Sequence, residues 1–469
     1  RNSLDMGKLQ VFEVLLAGNQ EVYKPGDVVQ GEARIVVSED KGDIRGIQIK
    51  CVGKSYTHWT ESEVSGDSQS SVDYTTNYEY FKQEITLQGA GADSTTADRI
   101  KLTAGEHRFP FQFQIPNISL PPPFEASNGY VRYYVKINID RPWKFDHHTQ
   151  KLFSIGTVKD LNYELNVLVP ASQQVEKTVC CLCCASGPIV LKGMIDKRRY
   201  VPGEYIFVSL DLHNNSSRRI NYITAKLQQR GHFTAKREGT GEISNVKTVK
   251  TMAELKLDGC EAMGSVNYDR VKMLIPPIPS CDFENCPNIT LEYFVEIVGD
   301  VFGTPMNAEV KLPVVIGTIP AFQHTLKDPS QNPDAVQPIP GQPGAPPGGQ
   351  PGFPPEGQQG YPPQGQQGYP PPRDGSSGYP LPGGVSGDEA AGLLPPPKYT
   401  AAVGGPQKIL GKFGTFGKIF YAPQYPYYDP DTLYASIGIP LGATQSADGG
   451  QPPPTVVQPM SIQQPPKQT

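Results

Sequence analysis

"VYKPGDVVQGEARI" runs from Val22 to Ile35, and "RYVPGEYIFVSLDL" runs from Arg199 to Leu212. Each places Tyr-x-Pro-Gly-acid before a run of alternating apolar and other residues. Tyr23 answers to Tyr200, Pro25 to Pro202, Gly26 to Gly203 and Asp27 to Glu204. A Pro-Gly pair punctuates a turn, and period-two alternation behind it reads as a half-buried strand. The likeness continues down the chain. "IRGIQIK" from Ile44 faces "INYITAK" from Ile220, "QIP" from Gln114 faces "LIP" from Leu274, and "RYYVKI" from Arg132 faces "EYFVEI" from Glu292. The offset falls from 177 (Asp27 to Glu204) to 160 (Arg132 to Glu292), so the first copy carries an extra stretch. The polar, Ser-rich run from Glu61 to Thr76 is its expected site, and insertions of that kind belong in surface loops.

Within each copy the period is two. Val131, Tyr133, Val135, Ile137 and Ile139 alternate with polar or aromatic neighbours, and Phe109, Phe111, Phe113 and Ile115 do the same. No long stretch has a period of 3.6. The pattern predicts an all-β protein with two tandem sandwiches of roughly 150 residues each. Beyond Ile319 the composition changes. Most of the 48 prolines and much of the glycine lie there, and aliphatic residues become scarce. Such a segment buries too little apolar surface to offset its ordering entropy and is expected to be disordered, with local docking admitted between Tyr421 and Ile437. The expected boundaries are 7–160, 175–320 and a tail from 321 to 469.

The N-terminal "RNSLDMGKLQ" lacks the apolar core of a secretory signal. Residues 1–5 read as leader or added sequence, with Met6 the more natural start. No apolar run approaches the ~20 residues of a spanning helix, and a soluble, intracellular protein is expected. The Asn117, Asn214 and Asn288 matches to the glycosylation pattern then read as chance. Eight cysteines, four of them in "CCLCC" from Cys180 to Cys184, suit a reducing compartment better than a disulfide framework.

"VFEVLLAGNQEVYKPGDVVQGEARI" from Val11, "YYVKINIDRPWKFDHHTQKLF" from Tyr133 and "CLCCASGPIVLKGMIDKRRYVPGEYIFVSLDLHNNSS" from Cys181 resemble the arrestin fold. "DRPW" (Asp140 to Trp143) and the Cys-rich stretch point to the arrestin-domain-containing branch, the α-arrestins. The resemblance covers roughly residues 7–320. It implies an N-domain and a C-domain, each a β-sandwich cup, which together form a long surface suited to protein recognition.

No catalytic constellation is evident, and neither an enzyme activity nor a cofactor is expected. His147 and His148 sit in "KFDHHTQK", expected to be a polar loop, without a metal-binding partner set. The cluster Cys180, Cys181, Cys183 and Cys184 lacks a second ligand pair for zinc. Its readings are packing or reversible palmitoylation beside a basic region. Cys260 lies near the position where the thioredoxin-binding member of the family carries a reactive cysteine. The Glu61–Thr76 stretch has no companion cysteine, so a redox partnership stands only as an alternative.

Short motifs concentrate in the tail. "GYPP" recurs around Tyr361 and Tyr369, and such tracts are extended spacers. Pro396, Pro397 and Tyr399 in "LLPPPKYT" form a PPxY match. The prolines pre-order a polyproline II helix for the groove of a WW domain, and the tyrosine takes a separate pocket. The resemblance implies recruitment of a HECT-type ubiquitin ligase through its WW domains. Many relatives carry two such motifs; this chain has one. With the motif on a free tail, changes there are expected to leave the melting of the core unaltered. Glu389, Leu393 and Leu394 fit an acidic dileucine sorting pattern, and Tyr434 with Ile437 fits YxxΦ. Both patterns suit clathrin adaptors. The alternative for the first is an extension of the WW ligand, and for the second a short docking or helical segment.

Between Ile189 and Thr240 ten Lys/Arg stand against four Asp/Glu, in a chain of net charge −5. Lys197, Arg198, Arg199, Arg218 and Arg219 are the candidates for an anionic partner, whether lipid headgroups or an acidic tail. Ordinary strand-edge cations are the other reading. Nucleic acid is not expected, because no nucleic-acid fold accompanies the charge. The functional expectation is a trafficking adaptor. Its arrestin domains grip membrane receptors or transporters, and its tail recruits the ligase, promoting cargo ubiquitination, endocytosis and sorting at plasma membrane and endosomes. The alternative is a WW-binding scaffold or signalling regulator without cargo ubiquitination.

Overall fold

The computed structural model describes residues 9–65, 68–91, 98–142, 144–163, 168–181, 184–321, 395–410 and 414–436. The N-terminal sandwich comprises β1 (Leu9–Leu16), β2 (Val22–Tyr23), β3 (Val28–Val37), β4 (Lys41–Ile44), β5 (Gly46–Ser65), β6 (Ser68–Gly89), β7 (Ile100–Leu102), β8 (Gly105–Gln114), β9 (Phe124–Ala126), β10 (Gly129–Asp140) and β11 (His147–Ile155). The C-terminal one comprises β12 (Ala171–Cys181), β13 (Cys184–Ile195), β14 (Arg199–Tyr200), β15 (Tyr205–Asn214), β16 (Ile220–Arg237), β17 (Ile243–Cys260), β18 (Ser265–Leu274), β19 (Ile289–Val301) and β20 (Ala308–Ile316).

The two copies fold alike down to single hydrogen bonds. Tyr23 ends β2, which pairs in parallel with β11; Tyr200 ends β14, which pairs in parallel with β20. Gly26 and Gly203 both take positive φ, 91° and 99°, a region open to glycine without steric cost. Gly26 N–H donates to the Ile115 carbonyl (3.2 Å) and Gly203 N–H to that of Ile275 (2.9 Å). The acid closes each turn: Lys24 N–H donates to Asp27 Oδ2 (2.7 Å), and Val201 N–H to Glu204 Oε2 (2.8 Å). Each tyrosine ring is then buried in its own sandwich core.

Alternation sets the cores. Val131, Tyr133, Val135, Ile137 and Ile139 of β10 are all fully buried, each worth roughly 1.5–3 kcal/mol relative to exposure. One sheet of the N-terminal sandwich is β1-β3-β8, and one of the C-terminal sandwich is β12-β13-β15-β18. The remaining long strands join in a single path, β14-β20-β19-β16-β6-β5-β10-β11-β2, with β17 on β16 and β9 on β10. It passes from one sandwich to the other where Lys236 and Arg237 of β16 pair with Thr75 and Tyr74 of β6.

The Ser-rich insertion is therefore not a surface loop. It extends the β5–β6 hairpin, and β6 reaches the second sandwich through it. Trp59 stacks on Tyr74 at 5.7 Å, and Arg237 pairs with Glu63 at 2.8 Å. Deeper in the seam a neutral network is buried. Ser55 Oγ donates to Asn288 Oδ1 (2.5 Å), Asn288 Nδ2 to Thr57 Oγ1 (3.3 Å), and Thr57 Oγ1 to the Thr234 carbonyl (2.7 Å). Asn214 and Asn288 are both buried, which removes two of the three glycosylation matches from solvent. No helix among the described residues is long and apolar enough to cross a membrane.

Candidate functional site

Residues 395–410 and 414–436 of the tail fold back on the sandwiches; docking was expected from Tyr421 onward, and the order over 395–410 and 414–420 departs from expectation. They form β21 (Lys398–Ala401), β22 (Gln407–Ile409), β23 (Ile419–Tyr421), β24 (Gln424–Tyr427) and α1 (Pro430–Ser436). The PPxY motif lies at the start of this strap. Pro396 and Lys398 are exposed, while Pro397 and Tyr399 are half-buried. β21 pairs antiparallel with β24, setting Tyr399 opposite Pro426 and Thr400 opposite Tyr425. The Tyr399 hydroxyl reaches the backbone just after β11: a Cβ placed on Gly156 would overlap it, and the three atoms nearest that Cβ all belong to Tyr399. Just beyond β21, Val403 N–H donates to the Pro277 carbonyl (3.1 Å). The motif is thus not on a free tail, and the expectation that changes there leave the core untouched loses its physical basis.

Tyrosines anchor the strap across both sandwiches. Tyr421 donates to the Phe153 carbonyl (3.1 Å) and lies 3.2 Å from Ser154 Oγ. Gln424 N–H donates to Ser154 Oγ (2.9 Å), and its amide to Glu21 (2.6 Å). Tyr425 donates to the Pro123 carbonyl (2.9 Å) and Tyr428 to that of Thr318 (2.9 Å). Tyr428 N–H donates to Pro202 (3.0 Å), so the strap lies against the second Tyr-x-Pro-Gly turn. Burial pushes the Tyr421, Tyr425 and Tyr434 phenols well up, keeping them protonated as donors. Upstream, Thr415 bridges to β11 at His148, and Phe416 meets Phe12 edge-on at 6.1 Å.

Tyr434 lies in α1. Asp429 caps the helix, accepting from Thr432 N–H at 3.0 Å, and Pro430 fills the first position. Leu433 is fully buried with Val201 and Leu161, and Tyr434 accepts from Tyr205 N–H at 3.0 Å. A YxxΦ ligand needs its tyrosine in an adaptor pocket; here the ring sits against Tyr205 and Phe207. Ile437, and the dileucine residues Glu389, Leu393 and Leu394, lie outside the described residues, as does the "GYPP" repeat.

The basic candidates are not brought together as one patch. Arg199 pairs with Val315 at the end of β20, whereas Phe302 N–H donates to the Arg219 carbonyl beyond the start of that strand. Nine residues of extended chain separate the two groups by roughly 25 Å. Lys197 pairs with buried Glu204 at 2.7 Å, and Arg219 stacks on Phe302 at 4.7 Å. His147 and His148 begin β11 and are buried, not in a loop; the strap covers His148, whose Nε2 lies 2.8 Å from Thr415 Oγ1. Cys180, Cys181 and Cys184 fall at the end of the β12–β13 ladder, where Cys181 pairs with Cys184; Cys183 and the side chains of this cluster lie outside the described residues. Among the described residues no cluster of His, Cys, Asp and Glu could hold a metal. Burial, with Glu261 nearby, pushes the Cys260 thiol up, which disfavours a reactive thiolate. A polar cleft of about 650 Å³ opens over β5, β6 and β10, and its lining holds no serine, threonine or cysteine nucleophile.

Two tandem β-sandwiches with this duplicated turn are matched by known families. Residues 12–162 match the N-terminal domain of arrestin (or S-antigen), and residues 185–321 match the C-terminal domain. The chain belongs to the arrestin-domain-containing proteins, the α-arrestins. It is 28% identical over 346 residues to human "Arrestin domain-containing protein 1", covering 73% of this chain and 70% of that protein. The rat protein of the same name is 27% identical over 346 residues, covering 73% and 72%. "Arrestin domain-containing protein 17" of Caenorhabditis elegans is 28% identical over 327 residues, covering 68% and 73%. An arrestin-like adaptor role follows from this membership. What sequence reading missed in this α-arrestin is the part of the strap before Tyr421, which takes in the PPxY motif. The docked stretch that it did admit carries a local signal: five tyrosines between Tyr421 and Tyr434, in a tail otherwise poor in residues that pack.

Proposed function

We propose that this α-arrestin is a trafficking adaptor. Its sandwiches hold a membrane receptor or transporter, and Pro396, Pro397 and Tyr399 recruit a WW-domain HECT-type ubiquitin ligase. The ligase then ubiquitinates the cargo and commits it to endocytosis and sorting, so the protein works at plasma membrane and endosomes. The observation that carries the reading is a PPxY motif on the same chain as two arrestin domains. The ubiquitin chemistry belongs to the ligase; this chain supplies proximity, raising the effective concentration of ligase at cargo.

Calorimetry with a WW domain and a peptide spanning residues 390–402 tests the first half. Losing a buried aromatic anchor costs about 2 kcal/mol or more, which is about 30-fold in affinity. Tyr399→Ala is therefore expected to abolish measurable binding of the peptide, and Lys398→Ala to change little. A Tyr399→Ala peptide that binds as tightly as the parent refutes the reading. A ubiquitin-remnant survey of membrane proteins, with parent and Tyr399→Ala chains, tests the second half. Unchanged cargo ubiquitination leaves the adaptor without a ligase function.

A further inference from the structure

We infer that the strap masks the PPxY motif, so that a WW domain gains Tyr399 only when the strap lifts from the sandwiches; this rests on the WW-binding reading above. The WW mode needs the tyrosine ring in a pocket of the partner and the prolines in its groove. Here the ring tip is packed on Gly156, and the backbone of β21 is engaged with β24 from Lys398↔Tyr427 to Ala401↔Gln424. A WW domain cannot enclose a ring whose hydroxyl lies against another backbone. The competing states share the same residue, so they exclude each other.

The mask is held in place well beyond the motif. β24 is fixed by Tyr425 on Pro123 and by Gln424 on Ser154 and Glu21. Past it, Tyr428 engages Thr318 and Pro202, and α1 buries Leu433 and Tyr434. Each anchor that stabilises β24 also stabilises the partner strand of Tyr399. The anchors come from both sandwiches, Ser154 and Pro123 from the first and Pro202 and Tyr205 from the second. Exposure of the motif is thereby tied to strap release as a unit, with the apparent WW affinity reduced by the fraction of molecules unstrapped.

Two variants lift the mask without altering the motif. Gly156→Ala puts a methyl where the Tyr399 hydroxyl rests; Gly156 has no positive φ, so alanine fits its backbone. Tyr428→Ala removes an anchor within the strap itself. The test titrates an isolated WW domain of a HECT-type ligase against the 390–402 peptide, the full chain, and the full chain carrying either change. The expected result is a full chain at least ~10-fold weaker than the peptide, with each variant returning to within ~3-fold of it. Amide exchange in residues 419–436 of Tyr428→Ala should rise in parallel. A full chain that binds as tightly as the peptide overturns the masking. So do variants that stay as weak as the parent while Tyr428→Ala has lost its exchange protection. A peptide that itself fails to bind sinks the WW reading, and this inference with it.

Discussion

Asn288→Ala should loosen the junction of the two sandwiches more than any exposed change. The Asn288 amide accepts from Ser55 at 2.5 Å and donates to Thr57 at 3.3 Å, and all three side chains are buried. Alanine removes both bonds, together with the weaker one from Cys286 Sγ to the same oxygen (3.6 Å), and leaves the Ser55 hydroxyl without its acceptor. An orphaned buried polar group costs roughly 1–3 kcal/mol and each lost bond about 1 kcal/mol. A total near 3–5 kcal/mol follows, or about 6–20 °C in melting temperature at roughly 2–4 °C per kcal/mol for a domain pair of this size. Scanning calorimetry of the full chain reads it, with Asn117→Ala as a surface control. Because Ser55 and Asn288 share one bond, Ser55→Ala and Asn288→Ala should combine less than additively, with a coupling of about 0.5–3 kcal/mol. A shift under 1 °C for Asn288→Ala, or strict additivity with Ser55→Ala, refutes the network as a structural joint.

Tyr425→Ala empties a buried aromatic site and should cost about 3–5 kcal/mol, so amides of β24 and α1 should exchange 100-fold faster or more. Tyr425→Phe loses only the bond to Pro123, about 1–2 kcal/mol, and should raise exchange about tenfold; equal exchange in both variants would show that the hydroxyl and ring are not what holds the strap. Cys260 should alkylate slowly with iodoacetamide at pH 8, since its raised pKa leaves little thiolate, and faster once urea exposes it. Mass spectrometry of the Cys260 peptide decides this, and rapid native labelling would restore the redox reading.

The duplicated turn was legible because its chemistry is local. Tyr, Pro, Gly and the following acid each do a job within five residues, and alternation then assigns the strands. The place of the Ser-rich insertion was not legible, because its strand pairs with β16, some 160 residues away. Composition could not distinguish a long hairpin from a loop. His147 and His148 misled for a similar reason. Their sequence neighbours are polar, but both belong to a strand, and the cover over His148 comes from Thr415, 267 residues away. The PPxY motif was visible as a pattern while its docking was not, since averaging over a Pro/Gly/Gln-rich tail hides a few well-placed aromatic anchors. The basic residues failed to gather because proximity in sequence says nothing about opposite ends of β20.

The seam and the strap join the same two sandwiches by different physics. At the seam the pairing is backbone to backbone, and the buried polar side chains of Ser55, Thr57 and Asn288 carry no charge. Its geometry is fixed by strands that also build the cores. The strap adds no strand to either sandwich sheet. It is held by phenols on carbonyls, by the apolar contacts of Phe416 and of buried Leu433, and by a seven-residue helix too short to be stable alone. Most residues of the two sandwich cores come from the sandwich strands themselves, with Phe416 and Val403 of the strap packed at their margins. Segments that open below the global unfolding free energy are the ones from which mobile, ligand-gating elements are drawn. Under the proposed function, a surface that must stay rigid to grip cargo and a motif that must come free to recruit a partner would thus sit on separable parts of one chain.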